Sequence, residues 1–408
     1  MKKYLYFVLS VLFFVSCIED DYYKQSDNCN ITAFEIEGQL ACNMEDRGSV
    51  GYISVQMPVD YDLSNLRVLR AELSPLARFE RDVFSIRDFS EMVTAKVVAE
   101  DGKNNKIWYI EVSKAQSNKQ LAYSDMKQWT IATEEDGIAI SIGGKYAYFP
   151  GEQGKYSPWQ HAARANKLNG FFSVNPQPSN ENSEYARMET KAYPAGNMVN
   201  SGIVTGALFT GKFCFDSRHL PVVGSDPNPR KLVNLGVRFE YRPTAVRFKM
   251  RYFPGAVMKD GKGKVIYEND KENRPHRDSC DIYFLLQNRD EDPDVFYRVA
   301  TAWMRIGDTV GADGFVSMTI PFIYGEPDAS TVAEKPYMGI GGVRGEVSFY
   351  RFTYNGTDYD KQLMQDKYAP STMNPDHIIG LFSASAYGDL FWGAPGSTLD
   401  IKDVELVY

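Results

Sequence analysis

Two neighbouring segments of the chain alternate apolar and charged residues: Leu235-Gly236-Val237-Arg238-Phe239-Glu240-Tyr241-Arg242-Pro243 and Val246-Arg247-Phe248-Lys249-Met250-Arg251-Tyr252. Successive side chains of a β-strand point to opposite faces, so a period of two is typical of a strand with one buried face. We therefore predict a β-hairpin whose apolar face lies in the core. Its charged face either contacts a ligand or is a solvated outer face with cross-strand ion pairs.

Strand-like segments continue on both sides of this hairpin. They lie near residues 137–142, 170–174, 206–215, 281–287, 296–303, 315–321, 349–354, 377–384 and 398–407. Aromatic residues make up 13% of the chain, and long periodic helices are absent from it. Many short strands with few helical patterns predict an all-β fold, with a jelly-roll domain over residues 120–408.

A smaller set of strands precedes this domain, over residues 28–115. The strand-like segments are 31–37, 50–57, 66–73, 93–100 and 108–112, and Asp101-Gly102 forms the turn before the last of them. This pattern predicts a small β-sandwich in which Trp108 packs the core. The segments 31–38, 62–66 and 98–102 with the ending 108–112 resemble the immunoglobulin-like modules at the front of many surface lipoproteins, which implies a spacer domain.

The amino terminus has the form of a targeting signal. Two lysines, about a dozen apolar residues and Ser16-Cys17 form a stretch too short to span a bilayer. It matches a bacterial lipoprotein signal over residues 1–17, which implies that Cys17 is acylated and anchors the protein to the outer membrane. Residues 18–27 then form a polar tether, and its acidic start is either a surface-export signal or a solvated linker.

Charge and cysteine content exclude several classes of protein. The net charge of -8 leaves no basic field for nucleic acid. Four further cysteines, Cys29, Cys42, Cys214 and Cys280, could form disulfides outside the cytoplasm, including a Cys29–Cys42 bridge, or remain buried thiols. Neither they nor the four histidines have the spacing of a zinc site.

Three blocks of the second domain resemble a known family. They are 158–166 with 195–197 and 205–211, then 235–243 with 248–252, and finally Phe382-Ser383-Ala384-Ser385 with Gly388-Asp389, Gly393-Ala394, 396–399 and Asp403-Val404. These blocks are similar to the Putative carbohydrate metabolism domain, a family of surface lipoproteins in glycan-foraging bacteria. The resemblance implies a role with carbohydrate. We expect a glycan partner, neighbouring uptake machinery and no required cofactor.

Aromatic residues in loops are the first candidates for sugar contact. A pyranose ring has an apolar C–H face and a polar rim, so a flat ring can cover the former while polar side chains satisfy the latter. Tyr156 and Trp159 lie in a loop rich in Gly and Pro, and Trp392 lies in a second loop, although Trp159 could equally hold its loop down. Strand context instead places Trp129 and Trp303 in the core.

Polar candidates complete the predicted sites. Asn166, Arg238 and Arg251 are candidate ligand-binding residues, and Glu240, Asp281 and Asp389 are the carboxylates to test for hydrolysis. Asp389, Asp400 and Asp403 near the last strand either hold a structural calcium ion or cap turns. Patterns such as GxSxG and HExxH do not occur in the sequence.

The sequence therefore predicts a lipid-anchored surface protein that binds oligosaccharide or polysaccharide without catalysis. One alternative is a glycoside hydrolase on the same jelly-roll domain, and another is a structural or adhesive surface protein.

Overall fold

The computed structural model describes most of the chain beyond residue 24. The described residues are 25–58, 61–89, 92–114, 119–133, 139–153, 157–193, 202–214, 229–267, 276–292, 294–341, 348–354 and 359–408. The chain divides into two compact units, with the boundary between Ala115 and Gln116. Strands are the main regular structure of both units, which confirms the predicted all-β class.

The first unit is a β-sandwich. Its strands are β1 (Ile31–Ile36), β2 (Ala41–Asp46), β3 (Val50–Met57), β4 (Val68–Leu73), β5 (Arg78–Phe79), β6 (Val93–Val98) and β7 (Asn105–Lys114). β1 pairs with β4, while a second sheet has the order β2-β3-β7-β6-β5, in which β3 and β7 are parallel. The predicted immunoglobulin-like sandwich is confirmed.

Trp108 lies in the core of this sandwich, as predicted, and is 1% exposed. Its indole packs directly on the backbone of Gly51 in the neighbouring strand, where an added Cβ would lie 2.3 Å from the ring. The indole N–H also donates to the carbonyl of Cys29 at 3.4 Å. Only glycine at position 51 leaves room for this ring.

The second unit contains the remaining strands. They are β8 (Trp129–Ile131), β9 (Ser141–Ile142), β10 (Lys145–Tyr146), β11 (Tyr148–Pro150), β12 (Trp159–Gln160), β13 (Val174–Gln177), β14 (Tyr185–Glu189), β15 (Lys191–Ala192), β16 (Ile203–Val204), β17 (Ala207–Phe213), β18 (Val233–Leu235), β19 (Val237–Arg238), β20 (Ala245–Phe253), β21 (Cys280–Asn288), β22 (Val295–Ile306), β23 (Val316–Pro321), β24 (Ile323–Tyr324), β25 (Tyr350–Tyr354), β26 (Tyr359–Leu363), β27 (Gln365–Tyr368), β28 (His377–Ser383) and β29 (Thr398–Val407).

Two large sheets form the sandwich of the second unit. The nine-stranded sheet has the order β12-β17-β28-β21-β22-β24, with β18, β19 and β27 paired to β17, β28 and β22. The five-stranded sheet has the order β13-β14-β29-β20-β23. Most of the pairs are antiparallel, as expected for a jelly roll, and β22 with β27 is a parallel pair.

Apolar side chains of both sheets fill the space between them. Phe382 of β28 is fully buried, and its ring lies 5.5 Å from that of Phe248 on β20 and 5.6 Å from that of Phe284 on β21. The opposite face of the nine-stranded sheet is covered too, because residues such as Leu285 and Ile379 pack with Met338, Phe349 and Met364. β21 is therefore buried on both faces.

The predicted hairpin is wrong, although its strands exist. β19 pairs with β28 in the nine-stranded sheet, whereas β20 pairs with β29 and β23 in the five-stranded sheet. Residues 239–244 cross from one sheet to the other, and Phe239 is buried among the core residues on the way. Alternation identifies a buried face in each strand, but it does not say that the two faces belong to the same sheet.

Helices in the described residues are short. α1 (Ala163–Asn169) ends at Gly170, whose φ of 79° is left-handed, and α2 (Ala329–Glu334) begins after Asp328. The strand predicted from residue 170 therefore begins only at Val174. No helix in this part of the chain is long and apolar enough to cross a membrane.

The cysteines of the described residues are free thiols. Cys29, Cys214 and Cys280 are buried, and Cys42 is half-buried. Of the two alternatives drawn from the sequence, the structure has free thiols and no Cys29–Cys42 bridge. Burial raises the pKa of the Cys42 and Cys280 thiols, which disfavours the reactive thiolate.

Candidate functional site

The outer face of the nine-stranded sheet, turned away from the five-stranded sheet, carries a polar cluster at one end. Its floor consists of two directly opposed pairs on β21 and β22, Asp281 with Arg305 and Tyr283 with Trp303. Nε and Nη2 of Arg305 donate to the two carboxylate oxygens of Asp281 at 2.9 and 3.2 Å. The indole N–H of Trp303 donates to the same carboxylate at 2.6 Å. These charge-assisted bonds fix Asp281 in one orientation.

A second carboxylate, Asp389, approaches this floor from the loop between β28 and β29. It lies in the 3₁₀ turn Gly388–Leu390, and Arg230 faces it from the turn Pro229–Leu232. Nε of Arg230 is 3.9 Å from the Asp389 carboxylate, and its Nη1 donates to the Tyr283 hydroxyl at 2.9 Å. Burial raises the pKa of the Asp389 carboxyl; the charge of Arg230 opposes the rise, and the negative charge of Asp281 adds to it.

Aromatic rings line the cluster between these charges. The ring of Trp303 lies 4.6 Å from that of Tyr283 and 5.7 Å from that of Tyr337. The guanidinium of Arg305 lies 4.9 Å from the Tyr337 ring centroid and 5.1 Å from that of Tyr387. Tyr387 in turn contacts the indole of Trp392, with 6.2 Å between the ring centroids.

These contacts connect one group of side chains, which we name the sheet-end site. Its members are Arg230, Asp281, Tyr283, Trp303, Arg305, Tyr337, Tyr387, Asp389 and Trp392. Asp281, Tyr283 and Trp303 of the floor are buried, while Arg305 and the remaining members are partly exposed and form the rim. A rim of flat rings, guanidinium groups and a carboxyl can offer both an apolar surface and hydrogen-bonding groups to one ligand.

The structure brings together only some of the residues proposed from the sequence. Asp281 and Asp389 meet at the sheet-end site, and Trp392 lies on its rim. Glu240 is an exposed residue of the segment that crosses between the sheets and is not a member of the sheet-end site. Tyr156 lies outside the described residues.

The prediction that Trp159 provides a stacking surface is wrong. Trp159 is 0% exposed and lies in β12, which pairs with β17. Its ring lies 5.9 Å from that of Phe382 in the core. Its indole N–H donates to the carbonyl of Ala122 at 3.1 Å and to the Ser124 hydroxyl at 3.2 Å. The alternative interpretation, in which this tryptophan holds its loop down, fits these contacts. Trp129 and Trp303 are buried as predicted.

The polar candidates are also dispersed. Asn166 is buried, and its amide donates to the Ser173 hydroxyl at 2.7 Å, so its predicted contact with ligand is wrong. Arg238 is exposed on β19 and forms an ion pair with Asp290. Arg251 lies on the five-stranded sheet, where its Nη2 donates to Asp400 at 2.7 Å.

The charged face of β20 is a solvated outer face with cross-strand ion pairs, one of the two predicted alternatives. Arg247 pairs with Glu405 at 2.9 Å and Lys249 with Asp403 at 3.0 Å, both across to β29. Each of these four side chains is at least one-third exposed. Such pairs contribute little to stability.

Of the two alternatives for Asp389, Asp400 and Asp403, the calcium site is the one that the structure contradicts. Asp400 is fully buried and accepts from Arg187 at 2.7 and 2.9 Å as well as from Arg251. Asp403 pairs with Lys249, and Asp389 faces Arg230. Among the residues that the structure describes, no group of three or more His, Cys, Asp and Glu side chains could hold a metal ion.

Sequence reasoning missed most of the rim. Arg305 and Trp303 are two residues apart on β22, so the period of two that located the strand also places them on one face. Arg230, Tyr337 and Tyr387 come from short turns far apart in sequence, and no local pattern connects them.

Comparison with known proteins identifies the family. The model of the Putative carbohydrate metabolism domain matches residues 98–338, which is more than half of the chain. The chain belongs to this family. Membership gives the protein a carbohydrate-related role.

Solved structures share the fold. A structure titled as a putative glycoside hydrolase from Bacteroides thetaiotaomicron has 20% identity and a TM-score of 0.51, over 94% of this chain and 98% of its own. A second, with the same description and from Bacteroides vulgatus, has 19% identity and a TM-score of 0.41, over 69% of this chain and 98% of its own. The first similarity establishes the fold alone. No match to the chain was found among curated proteins.

Proposed function

We propose that this protein binds glycans at the sheet-end site. The observation that carries the proposal is the joint placement of partly exposed rings, two arginines and a carboxyl on one end of a rigid sheet. Family membership supplies the class of ligand, because it implies a role with carbohydrate.

Sugar rings fit the chemistry of this rim. Trp392 and Tyr387 offer flat surfaces for the C–H face of a pyranose, while Arg230, Arg305 and Asp389 can hydrogen-bond its hydroxyl groups. The buried floor is rigid, because Asp281 is fixed by Arg305 and Trp303. Little ordering of the site is therefore needed on binding.

Trp392 makes the proposal easy to test. The chain has five tryptophans, and the other four are at most 3% exposed, so quenching of fluorescence by a bound sugar reports on Trp392. Polysaccharides that bind on a glycan array should change this fluorescence, and Trp392→Ala should weaken their binding about tenfold or more, a loss of roughly 1.4 kcal/mol. Arg247→Ala on the five-stranded sheet is the control and should bind as the wild type does. Unchanged binding by Trp392→Ala would exclude the sheet-end site.

Hydrolysis is a second candidate, and the environment of Asp389 favours it. Burial raises the pKa of this carboxyl, as expected of an acid that donates a proton to the leaving oxygen as the glycosidic C–O bond breaks. Asp281 is the second carboxylate of such a pair, and water supplies the new hydroxyl. Release of reducing ends from an array-positive polysaccharide should then disappear in Asp389→Asn and Asp281→Asn. Binding without release in the wild type supports the noncatalytic function.

We further propose that the protein acts at the cell surface, anchored through a lipid on Cys17 and beside glycan-uptake machinery. The residues concerned lie outside the described part of the chain, so the sequence alone supports this. Cells fed a radiolabelled fatty acid should label the wild type, and Cys17→Ala should abolish the label. Protease added to intact cells should degrade a surface-exposed chain and spare a periplasmic one.

A further inference from the structure

We propose that Asp278 is a positioning residue that attaches the loop carrying Asp389 to the strand carrying Asp281. The inference concerns the sheet-end site and rests on its proposed function, but it is tested without a glycan. Asp278 lies two residues before β21, and Asp281 is the second residue of that strand. Asp389 belongs to the loop of residues 384–397, which we name the β28–β29 loop.

Both ends of the β28–β29 loop are bonded to the same oxygen of Asp278. At the start of the loop, the Ser385 hydroxyl donates to Oδ2. At its end, the backbone N–H of Ala394 and the Ser397 hydroxyl both donate to the same oxygen, at 2.7 Å in each case. Oδ1 accepts the N–H of Ser279 at 2.8 Å. One carboxylate therefore closes the loop and attaches it to the strand that carries Asp281.

These donors are buried, so water cannot replace Asp278 as their acceptor. Asp278 and Ser397 are 0% exposed, and Ser385 is 1% exposed. Each of the two hydroxyls makes a further hydrogen bond. Ser385 shares one of 2.6 Å with Thr190, and Ser397 accepts the N–H of Gly255 at 2.9 Å. Buried donors that lose their acceptor cost about 1–3 kcal/mol each, so removing this carboxylate should open the loop.

Opening the loop would move the rim. Tyr387, Asp389 and Trp392 all lie between the two bonded ends, whereas Asp281, Trp303 and Arg305 lie on strands. Asp278 therefore links the members of the site that lie on the loop to those that lie on strands. This is the placement expected of a residue that touches no ligand but determines where ligand-contacting groups lie.

Hydrogen exchange of the full chain tests the inference. In Asp278→Asn, amides of residues 385–397 should exchange roughly tenfold faster or more, while amides of β20 and β29 keep wild-type rates. Quenching of Trp392 by acrylamide should rise in the same variant.

The matched control is Asp400→Asn, which alters another fully buried carboxylate of the same unit, on the five-stranded sheet. It should lower thermal stability without selective exchange at 385–397. If both variants loosen the unit equally, or if neither changes Trp392 quenching, Asp278 has no positioning role. Ser397→Ala removes one donor only and provides the same comparison if Asp278→Asn does not fold.

Discussion

Asp281 and Arg305 face each other across β21 and β22, and the guanidinium donates to both oxygens of the carboxylate. Asp281 is 5% exposed, and Arg305 has 17% of its side chain exposed, so the pair is largely withdrawn from water. Its geometry fixes the floor of the sheet-end site, and its burial makes the loss of either partner costly.

Replacing Arg305 by alanine should destabilise the second unit. Asp281 would keep the hydrogen bond from the Trp303 N–H and the longer-range attraction of Arg230 but lose its ion pair, and removing one partner of a buried ion pair costs about 3 to 5 kcal/mol. Urea denaturation of Arg305→Ala and the wild type measures the difference. Arg247→Ala breaks an ion pair whose partners are each 52% exposed and should change the midpoint little. An equally small change in Arg305→Ala would show that the pair contributes no stability.

Truncation of Trp159 should lower stability, whereas truncation of Trp392 should mainly weaken glycan binding. Trp159 is fully buried, so Trp159→Ala should lower the free energy of unfolding by about 3 to 5 kcal/mol through the cavity and the two lost hydrogen bonds. Trp392 is partly exposed, so Trp392→Ala should affect glycan binding more than unfolding. Chemical denaturation of both variants decides this, and a stable Trp159→Ala protein would contradict the buried position.

The sequence predicted strands well and their partners poorly. Period-two alternation located β3, β20 and β29 to within a residue, because each has one face in a core. It could not show that β19 and β20 belong to different sheets. Sheet membership and register depend on the partner strands β28 and β29, which lie far away in the sequence.

The candidate site shows the same limit. Their positions beside strands make Asp281 and Asp389 candidate carboxylates, but their common site depends on the β28–β29 loop and on Asp278, which no local pattern marks. Loop position suggested exposure for both Trp159 and Trp392, and only the core around Phe382 explains why the first is buried.

His161 should make folding sensitive to mild acid. Burial lowers the pKa of this imidazole to about 4 from an ordinary 6.5, and Nε2 donates to the Tyr148 carbonyl at 2.8 Å. The unfolded chain therefore binds a proton first as the pH falls, and stability is lost from pH 6.5 down to about 4, by about 3 kcal/mol. Urea midpoints across this range should fall less steeply in His161→Gln. Above pH 6.5 the difference between the two midpoints should stay constant, which serves as the control.

The contribution of Asp389 to the stability of the fold should depend on pH in the opposite way to that of a salt-bridged carboxylate. Burial raises its pKa from the ordinary 3.8, so the folded chain holds a proton that the unfolded chain has already released. Stability contributed by the protonated form is present below pH 3.8 and is lost as the pH rises through the raised pKa.

Asp389→Asn, which stays neutral, should therefore gain stability relative to the wild type as the pH rises from about 4 through that interval. The comparison is Asp328→Asn in the same unit, because the Ser330 hydroxyl lowers the pKa of Asp328. Asp328→Asn should lose stability relative to the wild type as the pH rises to about 4, and the difference should stay constant above that pH. Urea midpoints of the three proteins from about pH 2.5 to 8 measure both trends, that of Asp328→Asn below about pH 4 and that of Asp389→Asn above it. Parallel curves for Asp389→Asn and the wild type would show that burial does not raise the pKa of Asp389.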